Sequence, residues 1–324
     1  MNIEISKFGI VLLAVYGLIV VFYLAAYFDK NVPKHTKIAG FLFVILLGFL
    51  TMAGVSGWGA RRFTEMTGIR VPSFLGGPRQ PAKPLETTRV TFPEGCTVRD
   101  VLSLLAQNGV ADEDSLWDAA ENGAFEYGFL DQDSADITRL EGCLFPDTYE
   151  FYKPEDPSRA LNRLLSNFQK KLTDRAEAFE AAENRGYSVR DIITIASLIE
   201  KETDGSDQAN IASVIYNRLE GPGDRHGTNG LLQINAALLY AIPDHSGPVT
   251  YADLEIDSPY NLYKNPGLPP SPIANPGAAC IDAALFPEET DYYYYALGKD
   301  GKHRFFSQYS DFNRFLASAD YVGN

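Results

Sequence analysis

The stretch Ser188-Val-Arg-Asp-Ile-Ile-Thr-Ile-Ala-Ser-Leu-Ile-Glu-Lys-Glu-Thr203 decides how the rest of the chain is read. Ser188 with Asp191 three residues on forms a capping box, so the helix start is signalled by its own chemistry. Ile192, Ile195, Ala196 and Ile199 then recur at helical spacing as an apolar stripe. At about 100° per residue, Glu200 falls between Ile193 and Ala196 on one edge of that stripe. Glu202 falls between Ile195 and Leu198 on the other edge, and Lys201 points the opposite way. Burial disfavours a charged carboxylate and raises its pKa, and a neighbouring carboxylate adds to the effect. A glutamic acid kept protonated in this way serves as a general acid. The plain alternative is a helix end with a solvated Glu-Lys-Glu tail. Spacing alone favours the plain reading, and it does not choose between the two glutamates.

The chain has 324 residues, and two apolar runs come first, Phe8–Phe28 and Ile38–Trp58. Neither contains a charged residue, and each has about the ~20 residues of a spanning helix. The first lacks the short core and small-residue cleavage site of a signal peptide. Residues 1–60 are therefore expected to be a membrane anchor of two transmembrane helices. Lys30, Lys34 and Lys37 between the runs favour a cytoplasmic connection, whereas Lys7, Arg61, Arg62 and Arg70 count against it. The near tie is resolved outward, giving a multi-pass protein of the cell membrane with its catalytic domain on the extracytoplasmic side.

A net charge of −14, with no Lys/Arg cluster beyond the membrane flank, argues against nucleic acid as a partner. Cys96, Cys143 and Cys280 are far apart, and His35, His226, His245 and His303 do not cluster. No metal-ligand spacing results, so no metal, cofactor or disulfide is expected.

Residues 61–88 are rich in proline and glycine and are expected to be a linker. In 89–136, Arg89-Val-Thr-Phe92 is expected as a strand, and Thr97 with Asp100 as a second capping box. The helix that follows carries Val98, Val101, Leu102 and Leu105 on one face and ends at Gly109. Strand, turn and short helix resemble a small LysM-like module. The remainder, 137–324, is expected to be a helical domain with antiparallel strands, giving an α+β fold. It includes a long helix over 161–183, a helix over 208–219, and a polar, glycine-rich loop over 221–230. The proline-rich run 258–277 carries tyrosines and asparagines suited to walling a sugar cleft, and a hairpin follows over 291–306.

Several separated runs, in a consistent order, resemble the YceG-like (MltG) endolytic murein transglycosylases. They are Leu140-Glu-Gly-Cys-Leu-Phe-Pro-Asp-Thr-Tyr149, Ala196–Thr203, Ala212–Leu219, Leu232–Gln233, Pro259–Tyr263, Gly267–Gly277 and Gly301–Phe305. The resemblance implies cleavage of the bond between N-acetylmuramic acid and N-acetylglucosamine in peptidoglycan glycan strands, giving 1,6-anhydro ends. It assigns the general acid and base to Glu200, with no second carboxylate at glycosidase spacing required. Glu202, Gln233, Tyr260, Asn261 and Asn275 are the expected substrate-binding residues. Where the family usually has Asp two residues after its Gln, this chain has Asn235. The membrane and peptidoglycan synthases are further partners that the resemblance implies. The alternatives are a hydrolytic muramidase, and a non-catalytic glycan-binding envelope protein that organises synthases.

Overall fold

The computed structural model describes residues 7–28, 32–55 and 86–323, apart from 133, 135, 204, 222–226, 243–244 and 246. Arg61, Arg62 and Arg70, nearly all of the expected linker and the middle of the 221–230 loop lie outside the described residues. The chain divides into two compact units, Met1–Pro84 and Leu85–Asn324.

The first unit is a pair of helices, α1 (Lys7–Phe28) and α2 (Lys34–Val55). The second begins at Lys34 rather than Ile38, so Lys34 and Lys37 belong to its first turn and not to a loop. Tyr23 packs where a Cβ on Gly40 would stand, and Tyr16 packs likewise at Gly48. The missing side chains let rings from α1 lie flat on α2, and the order of the two contacts is antiparallel. Val21, Phe22 and Phe28 point outward, with Phe28 77 % exposed. Among the described residues, no helix is long and apolar enough to cross a membrane.

The second unit is an α+β domain built around one helix. It opens with β1 (Thr87–Thr91), α3 (Val98–Gln107) and α4 (Glu113–Asn122). Then come β2 (Thr148–Tyr152), α5 (Pro157–Thr173) and α6 (Ala176–Asn184). The central α7 spans Val189–Glu202, followed by α8 (Gln208–Glu220), α9 (Asn235–Tyr240) and α10 (Ala278–Leu285). A hairpin of β3 (Tyr294–Leu297) and β4 (His303–Phe306) precedes the last helix, α11 (Tyr309–Leu316). Both sheets are two-stranded and antiparallel. β1 pairs with β2 in the register Val90↔Tyr149, so the small N-terminal module shares its sheet with the segment that follows it.

The capping boxes at Thr97/Asp100 and Ser188/Asp191 both form. In α7, however, every residue from Ile192 to Ile199 is buried. The helix is enclosed on all sides rather than along one stripe, as befits the middle of a core. Its two buried hydroxyls are satisfied within reach: Thr194 donates to the Arg190 carbonyl at 2.8 Å and Ser197 to the Thr194 carbonyl at 2.7 Å. The backbone N–H of Ile273 donates to Ser197 Oγ at 3.0 Å, tying the proline-rich loop to α7. Gly142, at φ +81°, makes a second close approach. A Cβ there would lie 2.7 Å from both Ile193 Cγ2 and Pro272 Cβ, so only glycine fits. The helix expected over 161–183 is broken into α5 and α6 at Arg175, which leaves helical backbone to bind Asp282 of α10 through Nε at 2.5 Å and Nη2 at 2.9 Å. Cys96, Cys143 and Cys280 are buried free thiols.

Candidate active site

The last turn of α7 sends its two glutamates to different places. Glu202 enters a cleft of about 920 Å³ whose other walls come from α8, the 227–235 segment, the β3–β4 hairpin and α11. Tyr295, on β3, donates its hydroxyl to Glu202 Oε2 at 2.8 Å. Desolvation pushes the Glu202 pKa up; the Tyr295 hydrogen bond and the neighbouring His303 and Arg218 pull the other way without cancelling it. Burial, then the adjacent carboxylate, drives the Tyr295 hydroxyl well above its ordinary value, so it stays a donor.

Arg218 lies on the buried side of α8, in line with Ile211 and Ile215. Its Nε donates to the Tyr293 carbonyl at 2.7 Å and its Nη1 to the Leu232 carbonyl at 2.6 Å. The guanidinium lies 5.6 Å from the Tyr294 ring centroid. It therefore braces two strands of backbone while bringing a cation beside Glu202. His303 reaches the same cleft from β4. Its Nδ1 lies 2.7 Å from Asp207 Oδ2, and its ring stands edge-on to Tyr295 with 5.4 Å between centroids. Asp207 in turn accepts from the Thr203 hydroxyl, just past the end of α7. The carboxyl, its phenol donor and the imidazole are thus held by partners from four separate elements.

Gln233 is exposed on the cleft wall. It has φ +54°, a left-handed conformation that a non-glycine residue adopts at a local strain. Its N–H donates to the Leu262 carbonyl at 3.1 Å, which fixes the strained position. Asn235 accepts a hydrogen bond from the Tyr263 hydroxyl at 2.6 Å, also at the cleft.

Four of the residues expected at the site lie elsewhere. Glu200 turns away from the cleft: its Oε2 accepts the Gly277 N–H at 2.9 Å, and its charge adds to the burial that raises the Cys280 thiol pKa. Glu94 approaches it, and burial followed by the Glu200 charge raises the Glu94 pKa. Asn275 is fully buried; its amide donates to the Cys96 carbonyl at 2.9 Å and its oxygen accepts the Leu144 N–H at 2.8 Å. Asn261 is also fully buried, donating to the Leu254 and Ile256 carbonyls at 2.9 Å each. Both asparagines hold loop backbone and are buried out of reach of a sugar. Tyr260 bonds Ser271 at 2.6 Å and lines a different groove, near Arg99, Trp117 and Tyr240.

The residues missed from sequence are Arg218, Tyr263, Tyr295 and His303. Only Arg218 carried a legible signal, a charge on the apolar stripe of its own helix, where a cation must find partners. Among the described residues, no group of three or more His, Cys, Asp or Glu is placed to hold a metal ion.

The chain matches the YceG-like family over residues 70–318. It is 41 % identical over 177 residues to an endolytic murein transglycosylase of Bacillus subtilis, covering 54 % of this chain and 46 % of that protein. It is 29 % identical over 265 residues to an endolytic murein transglycosylase of Streptococcus pneumoniae, covering 75 % of this chain and 46 % of that one. The chain thus spans about half the length of these curated relatives. A crystal structure of a putative yceG-like protein from Listeria monocytogenes superposes with a TM-score of 0.59 at 29 % identity, covering 70 % of this chain and 75 % of that one.

Proposed function

The chain belongs to the YceG-like family, and from that premise we propose that it is a membrane-anchored lytic transglycosylase of peptidoglycan, with Glu202 as general acid and base. The observation that carries this reading is the Glu202 carboxyl itself, desolvated in the cleft, raised in pKa and oriented by Tyr295. Glu200, the residue expected in that role, accepts the Gly277 N–H and does not line the cleft.

In the proposed reaction protonated Glu202 gives its proton to the glycosidic oxygen as the muramic C1–O bond breaks. Positive charge develops on C1 and the ring oxygen. The C6 hydroxyl of the same sugar then closes on C1, and the Glu202 carboxylate takes back the hydroxyl proton. The products are an N-acetylglucosamine 4-hydroxyl and a 1,6-anhydro ring, and the carboxyl is restored. Because the nucleophile is already part of the substrate, ring closure is intramolecular and needs no bound water. Among the described residues lining the cleft, Glu202 is the one carboxylate. An inverting hydrolase would need a second, water-activating carboxylate at about 6.5–9.5 Å. Gln233 and Asn235 offer amides to sugar hydroxyls and acetamido groups. The amide at Asn235, in place of the family's carboxylate, is the one feature that favours a glycan-binding protein without catalysis.

The anchor is proposed on the two apolar runs and on the outward-facing Val21, Phe22 and Phe28, which suit contact with lipid. The multi-pass topology, the extracytoplasmic catalytic domain and an association with peptidoglycan synthases are part of the same proposal. So is a LysM-like role for the module at 89–136, which the order β1, α3, α4 supports, with the pairing strand β2 supplied by the segment after it.

Digestion of peptidoglycan by the full chain in detergent, with product ends read by mass spectrometry, tests the reaction. Anhydro-muramic ends are the expected outcome. Reducing muramic ends would replace the lyase with a hydrolase, and no cleavage would bring forward the glycan-binding reading.

A further inference from the structure

The C-terminal helix α11 is held to the hairpin almost entirely by rings. Phe312 stacks on Tyr294 at 5.2 Å and 25° between planes, and Phe315 lies 5.5 Å from Phe306. Tyr309, in the first turn, leans on Tyr294 at 5.5 Å and on Phe312 at 6.2 Å. A core aromatic would be covered on its remaining surface as well. Tyr309 instead stays 58 % exposed and forms part of the wall of the Glu202 cleft.

An exposed ring with rigid backing is an unusual way to leave apolar area in a cleft otherwise rich in polar groups. The face of a phenol ring carries partial negative charge and attracts the weakly positive C–H groups of an apolar surface laid over it. One face of a pyranose ring is such a surface, with its hydroxyls directed around the edge. The backing matters because a stacking residue already held in place loses little rotamer freedom on binding. It also links the ring to the chemistry: Tyr294, on which Tyr309 rests, is the ring over which Arg218 lies beside Glu202.

We infer that Tyr309, backed by Tyr294 and Phe312, is a sugar-stacking platform that binds a second pyranose of the glycan strand, apart from the ring whose bond is cut. This rests on the glycan-cleaving reading above but makes a separate claim, that substrate affinity for longer strands is set on α11. Tyr309 is a specificity-determining residue here and takes no part in proton transfer.

The test is binding of peptide-free glycan strands of defined length to the full chain in detergent, measured by calorimetry. A Glu202→Gln background keeps the strands intact. Adding Tyr309→Ala is expected to weaken binding of long strands about tenfold, the size set by covering one ring face of on the order of 50 Å². Tyr309→Phe and Tyr309→Trp should keep the affinity, since both keep the ring. Because the ring also leans on Tyr294 and Phe312, Tyr309→Ala should lower the thermal midpoint modestly while the protein stays folded at the temperature of the measurement, and Tyr309→Phe should keep the midpoint. The shortest strand that is cut should lose little with Tyr309→Ala, because it does not reach the platform. Equal affinity of the alanine and parent proteins for long strands would overturn the inference, and so would equal losses for short and long strands. Tyr309-dependent binding without any cleavage by the unsubstituted chain would sink the lyase and leave the platform standing. Cleavage with no dependence on Tyr309 would do the reverse.

Discussion

The two sides of the α7 C-terminus carry the same residue type two residues apart, and their surroundings differ sharply. On the Glu200 side, the carboxylate meets a backbone N–H, and the loop it holds is pinned again by Asn275. On the Glu202 side, the carboxylate meets one phenol and opens onto a cleft with an imidazole and a guanidinium nearby. Glu200 spends an oxygen on holding loop backbone. A carboxylate used as an acid is desolvated and left with few donors, which keeps its proton on.

The sharpest way to break this comparison is a pair of substitutions read for activity. Glu202→Gln is expected to lower the rate of glycan cleavage by about 10³-fold, within the range for a lost general acid. Glu200→Gln should keep the rate within about tenfold. The reverse order would exchange the two roles and return the acid to Glu200. The rate of the unsubstituted chain should also fall as pH rises through the raised Glu202 pKa, because the proton-donating form is then lost. A rate that instead rises with pH over that range would mean that the ionised form does the work.

Glu141 sharpens the comparison as a third buried carboxylate, one with no cleft. It accepts the Val98 N–H at 3.0 Å, at the start of α3, and the Tyr240 hydroxyl at 2.9 Å. Burial, opposed by these hydrogen bonds, lifts its pKa from 4.5 to about 7. Below pH 4.5 both folded and unfolded chains hold this proton. As pH rises toward 7 the unfolded chain releases it first, so stability falls across that window and levels off above it. The loss is on the order of 3 kcal/mol, and a Glu141→Gln chain should lack it. Denaturant unfolding of both proteins from pH 4 to 8 measures the difference; parallel curves would show that the Glu141 proton plays no part.

The helix and its two outward-diverging carboxylates were legible in the sequence, because capping boxes and 3.6-residue periodicity are local. Which carboxylate meets the cleft was not. Their partners arrive from far along the chain, Gly277 to one and Tyr295 with His303 to the other, and no local pattern encodes that. The proline-rich run carried a related ambiguity. Tyrosine and asparagine suit a sugar wall, but buried carbonyls also need donors. Asn261 and Asn275 supply them with their side chains to neighbouring segments, at Leu254, Ile256 and Cys96. Removing one should show it: Asn275→Ala is expected to lower stability by about 2–3 kcal/mol, since the buried Leu144 N–H would lose its acceptor. A loss of affinity for glycan at unchanged stability would put Asn275 back in the site.

The smallest effect tests the structural side most closely. Glu200→Gln keeps an oxygen that can accept the Gly277 N–H, so the loop retains its hydrogen bond but without charge assistance. That change should weaken the fold by about 1 kcal/mol or less. A second term opposes it, because Glu94 no longer faces a like charge. The Glu94 carboxyl is raised first by burial and then by Glu200, so the substitution should lower its pKa part of the way toward 4.5 and not all of it. An NMR titration of the Glu94 side chain in both proteins reads this directly, in a signal that no change in catalysis can produce. A full return to 4.5 would mean that burial contributes nothing. No movement at all would mean that Glu200 does not face Glu94, and the contrast between the two sides of α7 would lose its structural half.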